Sequence, residues 1–324
     1  MYTEQEFESK LLRGMEPYLT GEYAGARLMA QSVPISNGIR ERVITILSGE
    51  EIHMPSIRVE PLYDLYAGGY AVDDILPEIE KSLRDYAPMM NHGIDPLVKD
   101  FEAAKDQIYV RLVNAEKNQK LLETVPHTMV GDLAATYRVG IQNNSGMTSF
   151  VVTTELMELY GVGLQDLHAA AQSNAEQTVN LEYLMDKTLD AICRQQGISR
   201  DEALERYGKE MDCQDQLVVT NRQEIDGAGV IAFDSIRDQI AQKLQGNFYL
   251  IATDCHECLA IKDSAVRSVR SLERMSEQIL REWIRPEDAL SDRVYHYNAK
   301  TRELTVETGR VQKLQMDKTH TMQH

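Results

Sequence analysis

The pattern of apolar and polar positions along the 324-residue chain predicts a mixture of helices and hairpins. Thr3 and Glu6 have the spacing of a capping box, and Phe7, Leu11, Leu12 and Met15 follow at helical intervals. The chain is therefore expected to open with an amphipathic helix. Two apolar-rich runs, ARLMAQSV and RERVITIL, flank the turn-forming PISNG and predict a β-hairpin. SIRVEPLY reads as a third extended segment, and residues 72–86 as a helix. QIYVRLVN predicts a strand and AEKNQKLLETV a helix. GDLAATYRVGI and MTSFVVTT predict a second hairpin around QNNSG. From Leu156 to about Met211 the pattern is helical, broken at GVG and QQGIS. QLVVTN, GNFYLIAT and CLAIK read as short strands, with FDSIRDQIAQKL a helix between the first two. A long helix from Ser264 to Ile284 should stop before Pro286, and RVYHYNAKTRELTVE should close the fold as a hairpin turning at NAKT.

Hairpins and helices alternate here without a regular strand–helix–strand rhythm. The expected fold class is α+β, mainly antiparallel sheet with flanking helices. The turn-rich APMMNHGIDP at 87–96 marks a boundary between a helix, hairpin and helix unit, 1–90, and a larger α+β unit, 97–310. The same boundary could also fall within one large domain. Residues 311–324 are polar and are expected to fray.

Charge narrows the classes of partner. Acidic residues outnumber basic ones 51 to 34, for a net charge of -17. Such a surface repels phosphates, so neither direct nucleic-acid binding nor membrane binding is expected. It leaves room for a protein partner or for mimicry of a nucleic acid's charge. No window approaches the ~20 apolar residues of a membrane span. The opening MYTEQEFESKLLRGMEPYL carries acids and no long apolar run, unlike a signal peptide. A cytoplasmic location is expected. Four cysteines are too sparse for a disulfide scaffold and should stay reduced there.

Four stretches together carry a family resemblance. NQKLLETVPHTMVGDLAATYRV holds Asn118, Leu122, Pro126, His127, Asp132, Leu133, Ala134 and Tyr137. VVTNRQEIDGAGVIAF holds Asn221, Gly227 and Ala228. NFYLIATDCHECLAI holds His256 and Glu257, and LSDRVYHYN follows. In this order they resemble the signature of an uncharacterised bacterial family, a domain of unknown function met in gut anaerobes and their mobile elements. The resemblance implies a fold group and a set of positions, but no reaction. One departure stands out. Where the family pattern has two serines before His-Glu, this chain has Asp254 and Cys255.

The richest candidate chemistry lies in DCHEC, residues 254–258. Cys255 and Cys258 form one Cys-x-x-Cys pair, but Cys193 and Cys213 make no second knuckle for zinc. A redox pair usually opens a helix, and a strand is expected after Cys258. No metal and no cofactor is therefore assigned. His256 suits acid–base work near neutrality, and adjacent Glu257 would point the other way along an extended chain. PHTMVGD adds His127 and Asp132, a carboxylate able to orient an imidazole. If they converged, His127, Asp132, His256 and Glu257 would suit hydrolysis. Each has a structural alternative, as a fastener of a turn or strand end. Asn221 is a candidate binding residue at a strand end. DGAG, residues 226–229, is a turn rather than a phosphate loop, because the third glycine is missing.

The Ser264–Ile284 helix carries arginines at 267, 270, 274, 281 and 285 on one narrow stripe. Leu272, Met275, Ile279 and Trp283 are expected on the opposite, core-facing side. Arg267, Arg270, Arg274 and Arg281 could bind an anion, or could form a solvated face with Glu277–Arg281 paired. Tyr295 and Tyr297 alternate with His296 on the closing hairpin and suit core packing. With no complete catalytic motif, the leading expectation is a non-enzymatic accessory or protein-interaction protein, and the family resemblance adds a mobile element as its possible source. The alternatives are a hydrolase built on the His/Asp/Glu set and an acidic nucleic-acid mimic.

Overall fold

The computed structural model describes residues 2–47, 56–89, 95–143, 146–208 and 214–307. The first helix, Glu4–Met15, begins with the expected capping box, Thr3 and Glu6 each bonding the other's backbone. Its apolar stripe, Phe7, Leu11 and Met15, is buried. Strands β1 (Arg27–Pro34), β2 (Arg40–Leu47) and β3 (Ser56–Arg58) form an antiparallel sheet beside it. The chain then turns helical at Val59, earlier than the extended reading of SIRVEPLY allowed. Pro61 falls in the first turn of that helix, where no backbone N–H is needed. The helix Val72–Met89 completes a hydrophobic cluster that includes Phe7, Leu11, Ile44, Ile75 and Leu83.

A second, larger cluster draws only on residues beyond 95. Strands β4 (Ile108–Asn114), β5 (His127–Val130), β6 (Leu133–Asn143) and β7 (Gly146–Val151) make a four-stranded sheet. β4 lines one edge of β6, and β5 and β7 pair with successive halves of it. The remaining strands are β8 (Val179–Tyr183), β9 (Gln216–Asn221), β10 (Phe248–Ile251), β11 (Cys258–Lys262), β12 (Val294–Asn298) and β13 (Glu303–Glu307). They form an antiparallel six-stranded sheet in the order β13-β12-β10-β11-β9-β8. Helices Leu164–Thr178 and Asp234–Leu244 contribute Leu167, Ala171, Ile236 and Ile240 to the core shared with the four-stranded sheet. The helix Val269–Glu282 covers the opposite face, where Leu272 and Met275 meet Ile251, Ile261 and Val294. The α+β class with antiparallel sheets is as expected. No helix among the described residues is long and apolar enough to cross a membrane.

Several local expectations are corrected. AEKNQKLLETV holds only a short helix, Gln119–Leu122, because its apolar residues are too few to anchor a longer one. β5 and β8 were not anticipated. Each is a short partner strand added to an edge, so pairing rather than its own alternation makes it extended. The long helix starts at Val269, not Ser264. Trp283 is 78 % exposed instead of facing the core, because the helix ends at Glu282 and Trp283 caps it in a non-helical conformation. Arg281 pairs with Glu282 rather than Glu277. Of the 87–96 segment, residues 87–89 continue a helix and 95–96 begin the next. Residues 90–94, the tail, Cys213 and the centre of QNNSG lie outside the described residues.

Candidate functional site

β4 alternates strictly where it matters. Ile108, Val110 and Leu112 are buried in the larger core, while Tyr109 and Arg111 lie on the other face. Residues paired directly across an antiparallel sheet share a face. Tyr109 pairs with Arg138, Arg111 with Thr136, and Thr136 in turn with His127. One face of this sheet is thus polar. Arg111, Thr136 and His127 form a single row across it.

Two glycines bring the next element under that row. A Cβ on Gly229 would lie 1.9 Å from the Val110 carbonyl oxygen, and one on Gly227 would lie 2.1 Å from Thr220 Oγ1. DGAG is no phosphate loop, but neither is it the simple turn expected: Asp226 caps a 3-10 helix, Gly227–Ala232, pressed against β4 and β9. Asp226, at its start, adopts φ 51°, the left-handed region that aspartate tolerates better than most residues. Its carboxylate, almost fully buried, accepts from Arg111 Nη1 at 2.7 Å and from Tyr109 OH at 3.1 Å.

The same Arg111 reaches Asp288 Oδ1 at 3.4 Å. Asp288 also receives Arg285 at 2.6 Å, the Cys255 thiol at 3.5 Å and His256 Nε2 at 3.6 Å. His256 Nδ1 accepts from the Asp226 backbone N–H at 3.1 Å, which leaves the Nε2 proton facing Asp288. The main chain of His256 is fixed on both sides. Its N–H donates to Asp254 Oδ1 at 2.8 Å, and its carbonyl accepts from Thr220 Oγ1 at 2.7 Å. Burial pushes the Asp288 carboxyl up, but the His256 hydrogen bond and the Arg285 and Arg111 charges outweigh it and hold the group well below the usual carboxylate range. The hydrogen bond to Asp288 in turn raises His256, against the effect of burial. Burial drives the Cys255 thiol far upward despite the nearby Arg111 charge.

This cluster opens into a cleft of about 410 Å³. Its far wall comes from the three-stranded sheet: Ile35 and Ser36 at the β1–β2 turn, Glu41 on β2 and Arg58 at the end of β3. The turn is pinned in place by Asn37, which is also left-handed at φ 55°. Asn37 Nδ2 donates to the Pro286 and Ala289 carbonyls at 2.8 and 2.7 Å. Asn37 and Asn118 exchange two further hydrogen bonds of 2.9 Å. Four guanidinium groups, of Arg58, Arg111, Arg138 and Arg285, line the cleft. Arg58 pairs with Glu41, and Arg285 with Asp288 and Glu287. Arg138 donates to Ser149 at 3.1 Å and, among the described residues, forms no ion pair.

The four residues named as a possible hydrolytic set have separate partners. His127 Nδ1 bonds the Val125 carbonyl at 3.0 Å. Asp132 accepts from Tyr295 at 2.6 Å and Ser291 at 2.8 Å, tying the β5–β6 turn to the larger sheet. Glu257 pairs with Lys187 at 2.7 Å. Among the described residues, no hydrogen bond or ion pair links His127 or Asp132 to His256 or Glu257. Asn221 braces its own turn, donating to the Ile225 carbonyl at 2.8 Å and accepting from its N–H at 3.3 Å. Arg267, Arg270 and Arg274 are exposed and form no ion pair among the described residues.

Donor atoms of Asp226, Cys255 and His256 lie within 4.8 Å of one another, close enough to share a metal ion. The chemistry of the set opposes one. The Arg111 guanidinium already supplies the cation, and burial keeps the thiol protonated. Arg111, Asp226 and Asp288 went unnoticed in the sequence because each stands far from the others along the chain. The available signals were an arginine inside an apolar strand and aspartates beside Gly227 and shortly after Pro286.

Fold and cleft together define an α+β architecture in which a buried charge cluster forms the floor of an arginine-lined cavity between two hydrophobic cores. Residues 4–299 match the model of a family described as a family of unknown function (DUF5688), and the chain belongs to that family. No curated protein and no solved structure matches it significantly.

Proposed function

We propose that this protein acts by binding rather than by catalysis, as an accessory or protein-interaction protein whose cleft receives an anionic group of its partner, a carboxylate or a phosphate. One observation carries this reading: four guanidiniums from different parts of the chain converge on a single cleft in a molecule of net charge -17. Arginine's planar fork suits oxyanions, and a cleft between two cores is a common place for a ligand. Arg138 is the best-placed anchor, since no carboxylate among the described residues pairs with it. Catalysis is less well supported. The thiol beside the cleft is held protonated by burial, and the His127, Asp132, His256 and Glu257 side chains each serve a different contact.

The test is thermal denaturation with inorganic phosphate at low and high salt. Phosphate should raise the melting temperature of the wild type, less so at high salt, and should leave Arg138→Gln unmoved. An equal rise in Arg138→Gln would overturn the reading.

A further inference from the structure

A second cavity, about 710 Å³, lies on the other side of the β1–β2 turn. It shares Pro34, Ile35, Ser36 and Leu121 with the arginine-lined cleft, so the two adjoin at the turn. Its basic groups are Arg40, Lys117 and Lys120, with Glu116 the acid among the lining residues. Lys117 and Lys120 are exposed and form no ion pair among the described residues. The shared section between the two basic ends is largely apolar, with Ile35 and Leu121 half-buried.

Resting on the reading of the cleft given above, we propose that the partner is an acidic peptide segment that spans the two cavities at the β1–β2 turn. One carboxylate meets Arg138 and Arg111, an apolar side chain lies on Ile35 and Leu121, and a second carboxylate meets Lys117 and Lys120. The charge pattern of basic, apolar, basic is the complement of acidic, apolar, acidic. A single-stranded nucleic acid fits less well. Its bases stack on aromatic side chains, and neither cavity has an aromatic residue among those lining it. The Asn37–Asn118 bonds fix the turn between the two cavities, so the spacing of their basic groups is set before a partner arrives.

The experiment is fluorescence anisotropy on the full chain with labelled peptides in which two glutamates flank a short apolar segment, run alongside the phosphate titration. The peptides should bind, more weakly as salt rises. The double variant Lys117→Glu/Lys120→Glu should weaken peptide binding by about tenfold while leaving the phosphate-induced melting shift intact. Arg138→Gln should weaken both. Retention of full peptide affinity in the lysine double variant would overturn the two-ended partner while leaving the cleft reading standing. Displacement of the peptide by oligothymidylate at equal charge concentration would overturn the choice of a peptide. Absence of any phosphate shift in the wild type would remove the cleft reading itself. A control peptide with lysines in place of the glutamates should not bind, and binding by it would overturn the charge argument.

Discussion

Arg111 and Arg274 carry the same guanidinium in very different surroundings. Arg111 lies against buried Asp226 at 2.7 Å and reaches Asp288, and burial opposes its charge while both carboxylates support it. Arg274 stands on the exposed side of the Val269–Glu282 helix, with water as its environment. A regular helical stripe of arginines is easy to read as a site, and in the structure Arg267, Arg270 and Arg274 lie exposed. A single arginine between apolar neighbours in a strand gave no pattern, yet it organises the most heavily paired region of the molecule. Spacing along a chain reveals faces of elements. It does not reveal which charges have lost their water, and that loss makes a charge consequential.

The contrast can be broken most forcefully at its buried end. Arg111→Met would leave Asp226 buried with only Tyr109 as a side-chain donor, and should cost about 3–5 kcal/mol in chemical denaturation. A loss comparable to that of a surface substitution would mean the cluster is not under electrostatic tension. His256→Gln should cost less, about 1–2 kcal/mol, and in a pH-dependent way. His256 is raised above its ordinary value of 6.5, so the charge it directs at Asp288 stabilises fully below about pH 6.5 and fades as pH rises through the raised value, offset in part because the protonated ring gives up its Nδ1 acceptor for the Asp226 N–H. Asp288 is depressed below its ordinary 3.8, so its contribution is complete above about pH 4 and fades as pH falls through the lowered value. Both are fully expressed between about pH 4 and 6.5, where the gap between variant and wild type should be widest. A gap that stays constant up to about pH 9 would show a neutral imidazole contact instead.

Arg138→Gln sharpens the comparison from between the two extremes. Its guanidinium is half-buried, bonds Ser149 and, among the described residues, forms no ion pair. It should lower stability by about 1 kcal/mol or less while abolishing the phosphate response, separating ligand recognition from folding. The smallest effect belongs to the helix. Replacing Arg267, Arg270 and Arg274 together by glutamine should shift stability by less than about 0.5 kcal/mol in the same denaturation experiment. A larger loss would give the stripe a structural role that its exposure denies.

Much of the fold was legible because it is made of local devices. The Thr3–Glu6 box, the β1–β2 and β12–β13 hairpins, and strands β9 and β11 each carry their instructions within a few residues. The Tyr295 and Tyr297 alternation likewise gave two buried rings, with His296 on the other face. β5 and β8 were not legible, because an edge strand of four or five residues is defined by its neighbour. The site was only partly legible. His256 was singled out for its chemistry, and it does sit within the charge cluster. Its partners Asp226 and Asp288 lie 30 and 32 positions away on separate turns, and a side chain's partners across a fold leave no periodic trace. The cysteines that made DCHEC conspicuous are buried and protonated, and Cys255 enters the cluster only as a thiol donor to Asp288.

The Asn37 pin also sets a clock. The Asn37 amide N–H is bonded to a side-chain oxygen across the cleft, not to a neighbour within its own sheet. Its hydrogen can exchange with solvent when the β1–β2 turn lifts, without either hydrophobic cluster having to melt. The amides of β2 and β6, locked in ladders inside their own cores, exchange only through much larger openings. The exchange rate at this one position therefore counts how often the turn lifts, separately from the melting of either core.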